Sequence, residues 1–354
     1  MDNKIKRGLF ALLTAIIIFV IAAFFMQEGI LVPLNKITDI TGLMIADSAS
    51  SEQIPIEKTS TTPVVLFCPR DNCTAQLAFL IEKSKAIDCA FFDLSEPTVL
   101  KALENINKNT RKRVRLVIDN DTKKKTLLKD LDIVHDASDF FMHNKFCIFD
   151  DRIVWTGSFN PTKGGSEKNN NNVIAIASTV LAENYQKEFE QLRNKKFGKR
   201  KEAQTMNHEM QYNDIAIETY FCPQDHCAEE ILKELKKAKE SITFMAYSFT
   251  DNSMEEVLLE KQKQDVKIQG LFEKQQLSDY SAYHALKKAG VPVFIDTNPS
   301  LMHHKIFIID NQTVITGSMN PTKRGDEGND ENLLIIHDRG IAKLFLEEFA
   351  RLSY

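Results

Sequence analysis

The sequence predicts an α/β protein made of two copies of one domain. Each copy is a mixed β-sheet flanked by helices, and the pair is packed about a pseudo-two-fold axis. Two observations carry this. "MHNKFCIFDDRIVWTGSFNP" at residues 142–161 returns as "MHHKIFIIDNQTVITGSMNP" at residues 302–321, and "FCPRDNC" at 67–73 returns as "FCPQDHC" at 221–227. The first cysteine recurs after 154 residues and the motif histidine after 160, a period far too long for a solenoid repeat. Within each copy, short apolar runs alternate with amphipathic helical ones, which argues for an α/β sheet.

The elements follow in order. In the first copy a strand at 64–68 leads to a Cys-Pro loop, a helix at 74–85, a buried strand at 87–94, a helix at 97–107 and a strand at 114–118. In the second copy the same series falls at 217–222, 228–239, 242–249, 253–264 and 266–272. Each copy ends with the motif strands and a closing helix. With 43% hydrophobic and 27% charged residues over 354 positions, the chain is long enough for two cores. The lobes are placed at 64–192 and 214–354. The basic stretch 193–213 between them reads as a linker, most simply solvated, with phosphate or anionic lipid as the sharper option.

The N-terminal segment reads differently. Leu9 to Met26 is an apolar run broken only by Thr14. At about 1.5 Å per residue it spans about 27 Å, near the thickness of a bilayer's hydrocarbon. Lys4, Lys6 and Arg7 precede it, so residues 1–27 are expected to be a transmembrane anchor with a cytoplasmic N-terminus and the lobes across the membrane. A cleaved signal peptide is the rival reading. Residues 28–63, rich in Ser, Thr and Pro near their end, are expected to be a flexible tether.

The repeated motif carries the chemistry. His303 and Lys305 share a strand face, Asp310 and Asn311 make a turn, and Gly317-Ser318 and Asn320 return toward the histidine. A lysine, a hydroxyl and an amide beside an imidazole suit an anionic phosphoryl centre, and the set lacks the ligand count of a metal site, so neither metal nor cofactor is expected. Breaking a phosphodiester with a covalent intermediate needs one imidazole to attack phosphorus and another to protonate the leaving oxygen. Two motifs meeting across a pseudo-two-fold interface supply one of each.

The spacing His-x-Lys-x4-Asp-x6-Gly-Ser-x-Asn, at His143–Asn160 and again at His303–Asn320, resembles the signature of the phospholipase D superfamily. Both copies match it in full, and the likeness extends over about residues 64 to 352. "MAYSFT", "MHHKIFIID" and "TGSMNPT" most resemble its small bacterial endonuclease type. The resemblance implies two stacked α/β lobes around a cleft, metal-independent hydrolysis and a phosphohistidine intermediate. It makes His143 and His303 the catalytic pair, and has Lys145, Lys305, Asn160 and Asn320 hold the phosphate, with Ser158 and Ser318 in support. Asp150 and Asp310 read as structural. Eleven residues after the motif asparagine the family often has a carboxylate that orients the histidine. Glu331 stands there in the second copy and Asn171 in the first. If each serves the histidine of its own copy, the carboxylate favours protonated His303 and the amide fixes the tautomer of His143. That makes His143 the nucleophile and His303 the general acid, the order that the resemblance also implies.

Cys68/Cys73 and Cys222/Cys227 recur at equal spacing. With lobes outside the membrane, a short disulfide in each loop follows. Metal ligation, burial as small residues and reduced thiols compete with it. Cys89 and Cys147 read as unpaired core residues. Three functions remain. The first is a nuclease, supported by the compact lobes and by an excess of basic residues at 64–201, where 24 Lys/Arg face 18 Asp/Glu. Arg111, Lys112, Arg113, Arg115, Lys123, Lys124 and Lys125 are its candidate backbone track. The second is a phospholipid-directed phosphodiesterase or phosphatidyl transferase, supported by the anchor. The third is a catalytically weak binder of nucleic acid or lipid head groups. No obligate protein partner is implied.

Overall fold

The computed structural model describes residues 54–109, 111–120, 131–136, 138–203 and 207–353. The expected anchor and most of the expected tether lie outside them. No helix among the described residues is long and apolar enough to cross a membrane.

The strands are β1 (Ile56–Glu57), β2 (Val64–Cys68), β3 (Ala86–Phe91), β4 (Arg113–Ile118), β5 (Asp132–His135), β6 (Lys145–Phe149), β7 (Ile153–Gly157) and β8 (Asn171–Ala177), then β9 (Glu209–Tyr212), β10 (Ile215–Cys222), β11 (Ser241–Ala246), β12 (Lys267–Phe272), β13 (Val293–Ile295), β14 (Lys305–Ile309), β15 (Thr313–Gly317) and β16 (Glu331–His337). The α-helices are α1 (Cys73–Lys83), α2 (Pro97–Asn107), α3 (Lys163–Glu167), α4 (Thr179–Arg193), α5 (Cys227–Lys237), α6 (Asn252–Lys263), α7 (Ala282–Lys288), α8 (Lys323–Glu327) and α9 (Arg339–Ser353).

The first sheet runs β2-β8-β7-β6-β3-β4-β5. The second repeats that order as β10-β16-β15-β14-β11-β12-β13, with β9 and β1 added beyond β10. In each, the motif strands are antiparallel while β3-β4-β5 and β11-β12-β13 are parallel, so both sheets are mixed. Alternation along β6 explains the layering. Phe146 and Ile148 enter a central core shared by the two lobes, whereas Cys147 and Phe149 enter the outer core under α1 and α2. Residues of α4 and α9, among them Tyr185, Phe189, Phe345 and Phe349, also fill the central core.

Two expectations about the connections are corrected. The end of the tether is built into the fold: β1 pairs in parallel with β9, and the Glu57 carboxylate accepts from Ser178 Oγ and, at 3.0 Å, from Thr179 N, at the start of α4. It thus ties the second lobe's sheet edge to the first lobe's helix. Nor is the linker simply solvated. Lys201 is buried between Glu188 of α4 and Asp330, 2.9 Å from the latter. One lysine serves two buried carboxyls, and burial raises both, Glu188 to about 7 with the repulsion of Asp330 added.

Candidate active site

Each motif folds the same way for local reasons. Asp150 and Asp310 sit at the far end of β6 and β14, at φ 53° and 51°, in the turns to β7 and β15. Their carboxylates accept from the backbone NH groups of Lys85 and Ala86, and of Lys239, Glu240 and Ser241, where β3 and β11 begin. They pin the sheet and do not approach the histidines. At the other end, β7 and β15 finish in Gly157 and Gly317. A Cβ there would lie 2.2 Å from the carbonyl oxygen of Asn172 or Asn332, and φ is about +150°, so only glycine fits. The following serine hydroxyls point back into the sheet. Ser318 Oγ donates to Glu331 at 2.6 Å, and Ser158 Oγ accepts from Asn172 N at 3.0 Å. After Asn160 and Asn320, the threonines Thr162 and Thr322 cap α3 and α8. The side-chain oxygens of Asn160 and Asn320 are buried without a protein partner.

The two lobes build the site jointly. His143 N donates to the carbonyl of Asp330 at 2.9 Å, and His303 N to that of Asn170 at 2.8 Å, each across the lobe interface. Those bridges decide the partners. His143 Nδ1 lies 2.8 Å from Glu331 Oε2, and His303 Nδ1 lies 2.9 Å from Asn171 Oδ1 and 3.0 Å from the Ser158 carbonyl. The expectation that each histidine is served from its own copy is therefore wrong. β16 and β8 present their first residues to the neighbouring lobe, so the carboxylate belongs to His143 and the amide to His303. Both lysines fold back on their own motif: Lys145 Nζ and Lys305 Nζ donate to the carbonyls of His143 and His303.

Burial dominates the electrostatics. The His143 imidazole is pushed down to about 4 by desolvation, against the opposing pull of Glu331 and with help from Lys145. His303 is held well below its usual value by desolvation, then by the charges of Lys305, Lys145 and His143. Lys145 is lowered to about 7 and Lys305 well below the usual lysine range, again chiefly by burial. These four groups feel one another and resist positive charge, an arrangement that an anion between them would relieve. The carboxylate of Glu331, which also accepts from Asn329 Nδ2 at 3.2 Å, is the counter-charge.

Several participants were not found from the sequence, although Asn172/Asn332 and Thr156/Thr316 recur at the motif spacing. Phe92 and Tyr247 follow β3 and β11 and stand edge-on to His143 and His303, with ring centroids 5.0 and 4.7 Å away. Lys145 and Lys305 lie over the same two rings. Below the histidines, Asn332 bonds to Asn144 and Thr156, and Asn172 bonds to Thr316 across the interface. Phe92 and Tyr247 each stand one residue past the matched strands β3 and β11, and aligning those strands, rather than the motif, pairs them.

The cysteines are all paired. Cys68–Cys73 and Cys222–Cys227 are disulfides. Cys89 and Cys147, expected to be unpaired, form a third between β3 and β6, where register places them opposite. Two members of the basic track are held in ion pairs. Arg113 and Arg115 pair with Asp88, and also with Asp151 and Glu190 respectively, at the end of the sheet remote from the histidines. Lys123, Lys124 and Lys125 lie outside the described residues.

Comparison with known proteins follows this geometry. The family model described as "Cardiolipin synthase, PLD-like domain" matches residues 77–193 and again 231–353. A phospholipase D of Rickettsia prowazekii is 36% identical over 134 residues, covering 38% of this chain and 65% of that protein. The human mitochondrial cardiolipin hydrolase is 32% identical over 127 residues, covering 34% of this chain and 49% of that protein. The chain thus spans just under two thirds, or less, of the length of these curated relatives, by an alignment the size of one lobe. Among solved structures, the phosphatidylserine synthase of Haemophilus influenzae superposes with a TM-score of 0.63 at 12% identity, covering 84% of this chain and 87% of that one. That likeness speaks for the fold alone.

Proposed function

We propose that this chain, which belongs to the phospholipase D superfamily, is a metal-independent phosphodiesterase that cleaves nucleic acid through a phosphohistidine. The observation that carries the reading is reciprocal: each motif histidine has its Nδ1 held by the other lobe, one by a carboxylate and one by neutral oxygens. With Nδ1–H donated to Glu331, His143 offers the Nε2 lone pair to phosphorus. The carboxylate then balances the positive charge that appears on the ring as the N–P bond forms. His303 protonates the leaving oxygen as the P–O bond breaks. In the second half, His303 takes a proton from water, the water oxygen attacks phosphorus, and the P–N bond breaks. The corrected pairing leaves His143 as nucleophile but changes the reason. The carboxylate supports the ring that becomes cationic by phosphorylation. The neutral partners leave His303 an easily lost proton.

An anionic diester between Lys145 and Lys305 offsets the repulsion that depresses both imidazoles. Substrate binding itself therefore helps to load His303 with its proton. Asn160 and Asn320 complete the cradle with their amides.

A nuclease is favoured because only eight large apolar residues are exposed among the described residues, little apolar surface to offer acyl chains. The lipid reading is favoured instead by the names of the relatives, a phospholipase D and a cardiolipin hydrolase. We further propose a single-pass membrane protein, anchored by Leu9–Met26 with the lobes outside the cytoplasm. Three disulfides suit an oxidising compartment. Purified protein in excess EDTA, given end-labelled oligonucleotides and phospholipid vesicles, tests substrate and metal independence together. Oligonucleotide cleavage supports the nuclease, and head-group release with intact oligonucleotides overturns it.

A further inference from the structure

Besides the Glu331/Asn171 difference, the surroundings of the two histidines part company on the side of His143. Beside His143, Phe92 meets Phe141 with ring centroids 5.2 Å apart. The Arg324 guanidinium, from α8 of the other lobe, lies 4.3 Å over the Phe141 ring and 5.7 Å over that of Phe140. Phe140 is 40% exposed, its ring resting on Gly328, where a Cβ would come within 2.3 Å. Arg324 NH2 donates to the Asp139 carbonyl at 3.3 Å, and the guanidinium forms no salt bridge among the described residues. A run of flat groups therefore leads from the reactive imidazole to the surface: His143, Phe92, Phe141, Arg324, Phe140. At the opposite end Tyr247 takes the place of Phe92 beside the histidine, and by motif alignment Leu301, Gly164 and Ser300 match Phe141, Arg324 and Phe140. None of those three positions carries an aromatic ring or a guanidinium.

We propose that Phe140, Phe141 and Arg324 form a stacking platform for a base of single-stranded nucleic acid, and that it sets the direction in which the strand enters the cleft. The inference rests on the nuclease reading. Single strands are bound by aromatic faces that stack on bases, combined with cations that follow the phosphates. A guanidinium layered between two rings offers both, and its free edge is available to a neighbouring phosphate. An acyl chain gains nothing from a guanidinium in its wall, and one exposed phenylalanine is too little apolar surface for a lipid tail. Paired bases keep their faces covered, so a duplex does not use the platform. A symmetric cleft would accept a strand in either direction. A platform at one end removes that degeneracy, and with it the ambiguity over which bonded oxygen faces His303.

The test compares cleavage of a labelled single-stranded oligonucleotide with hydrolysis of bis(p-nitrophenyl) phosphate, which is too small to span from phosphorus to Phe140. For Phe140→Ala and Arg324→Ala, the ratio of the two kcat/KM values is expected to fall roughly tenfold, through KM for the oligonucleotide. Phe140→Trp, which keeps the flat face, is expected to restore it. Unchanged ratios in both alanine variants, with wild-type protein cutting the oligonucleotide, overturn the platform while leaving the nuclease reading intact. Wild-type protein that leaves oligonucleotides intact but hydrolyses phospholipid vesicles overturns both.

Discussion

The two lobes share a sheet order and a motif yet differ at two matched stations. At the first residue of the last sheet strand, the second lobe has Glu331 and the first has Asn171. In the centre of the sheet, the first lobe joins Cys89 of β3 to Cys147 of β6. In the same register the second lobe packs Phe244 of β11 against Phe307 of β14, with centroids 5.9 Å apart. The first difference is chemical: it gives His143 a carboxylate partner and His303 neutral oxygens only, which under the proposed mechanism suits the one to be nucleophile and the other acid. The second is structural: a covalent cross-strand pair and an aromatic one fill equivalent space. Duplication therefore supplied a symmetric frame in which the site could become asymmetric without rebuilding the fold.

The sharpest way to break the chemical comparison is to remove each histidine. His143→Ala and His303→Ala are both expected to lower kcat at least about a thousandfold, because neither ring can do the other's task. A variant that kept wild-type turnover would remove that histidine from the mechanism. Next comes the partner swap. Glu331→Gln is expected to cost on the order of a hundredfold in kcat, as the ring loses its counter-charge and its tautomer. Asn171→Ala, which leaves the Ser158 carbonyl on His303, is expected to cost about tenfold or less. Equal losses would mean that carboxylate and amide are interchangeable.

The structural comparison is read by stability. Cys89 and Cys147 close a separation of 58 residues, and the paired cysteines of each Cys-Pro loop close only 5. By chain entropy alone, removing the first should cost about 4 kcal/mol and removing a short one about 2 kcal/mol, measured by denaturant unfolding. The smallest effect is in pH. His143, His303 and His304 all have folded pKa values below that of an exposed imidazole, chiefly through burial. The unfolded chain therefore binds protons first, and stability should fall as pH drops from about 6.5 toward 4. His337, raised by its bond to Glu218, acts in the opposite sense: its contribution is present below about 6.5 and lost as pH rises through its folded value. Among the histidines three groups outweigh one, so removing them singly separates their acid-side loss from the opposite contribution of the raised Glu188 and Asp296 carboxyls: His304→Gln should flatten the fall of the unfolding midpoint toward acid. In catalysis, free-enzyme kcat/KM should decline as pH rises through about 7, where Lys145 loses its proton.

Much of this was legible beforehand because the chain prints its motif twice. The duplication follows from the repeat, the sheet class from the alternation of strand and helix patterns, and the choice of the His, Lys and Asn positions from the family resemblance that the repeated motif carries. The ownership of Glu331 and Asn171 does not. Each sits at the start of an edgeward strand, and only the Asp330 and Asn170 bridges across the interface reveal that it faces the other lobe. Cys89 and Cys147 were hidden by their separation, since pairing depends on the register of β3 against β6. Phe92 and Tyr247 escaped because an apolar ring after an apolar strand looks like core. The arginines of β4 misled for the opposite reason: charge in a sequence carries no direction, and theirs is spent on Asp88 and its neighbours.

The central claim is that the lobes cross-supply one site in which His143 is the nucleophile. It is tested most directly by acid-sparing quench of the enzyme with a labelled diester, followed by mapping of the phosphorylated peptide. The account predicts label on His143 in wild-type protein, persisting in Asn171→Ala and forming more slowly in Glu331→Gln. Label on His303, or undiminished labelling of His143 after the Glu331 substitution, would contradict it.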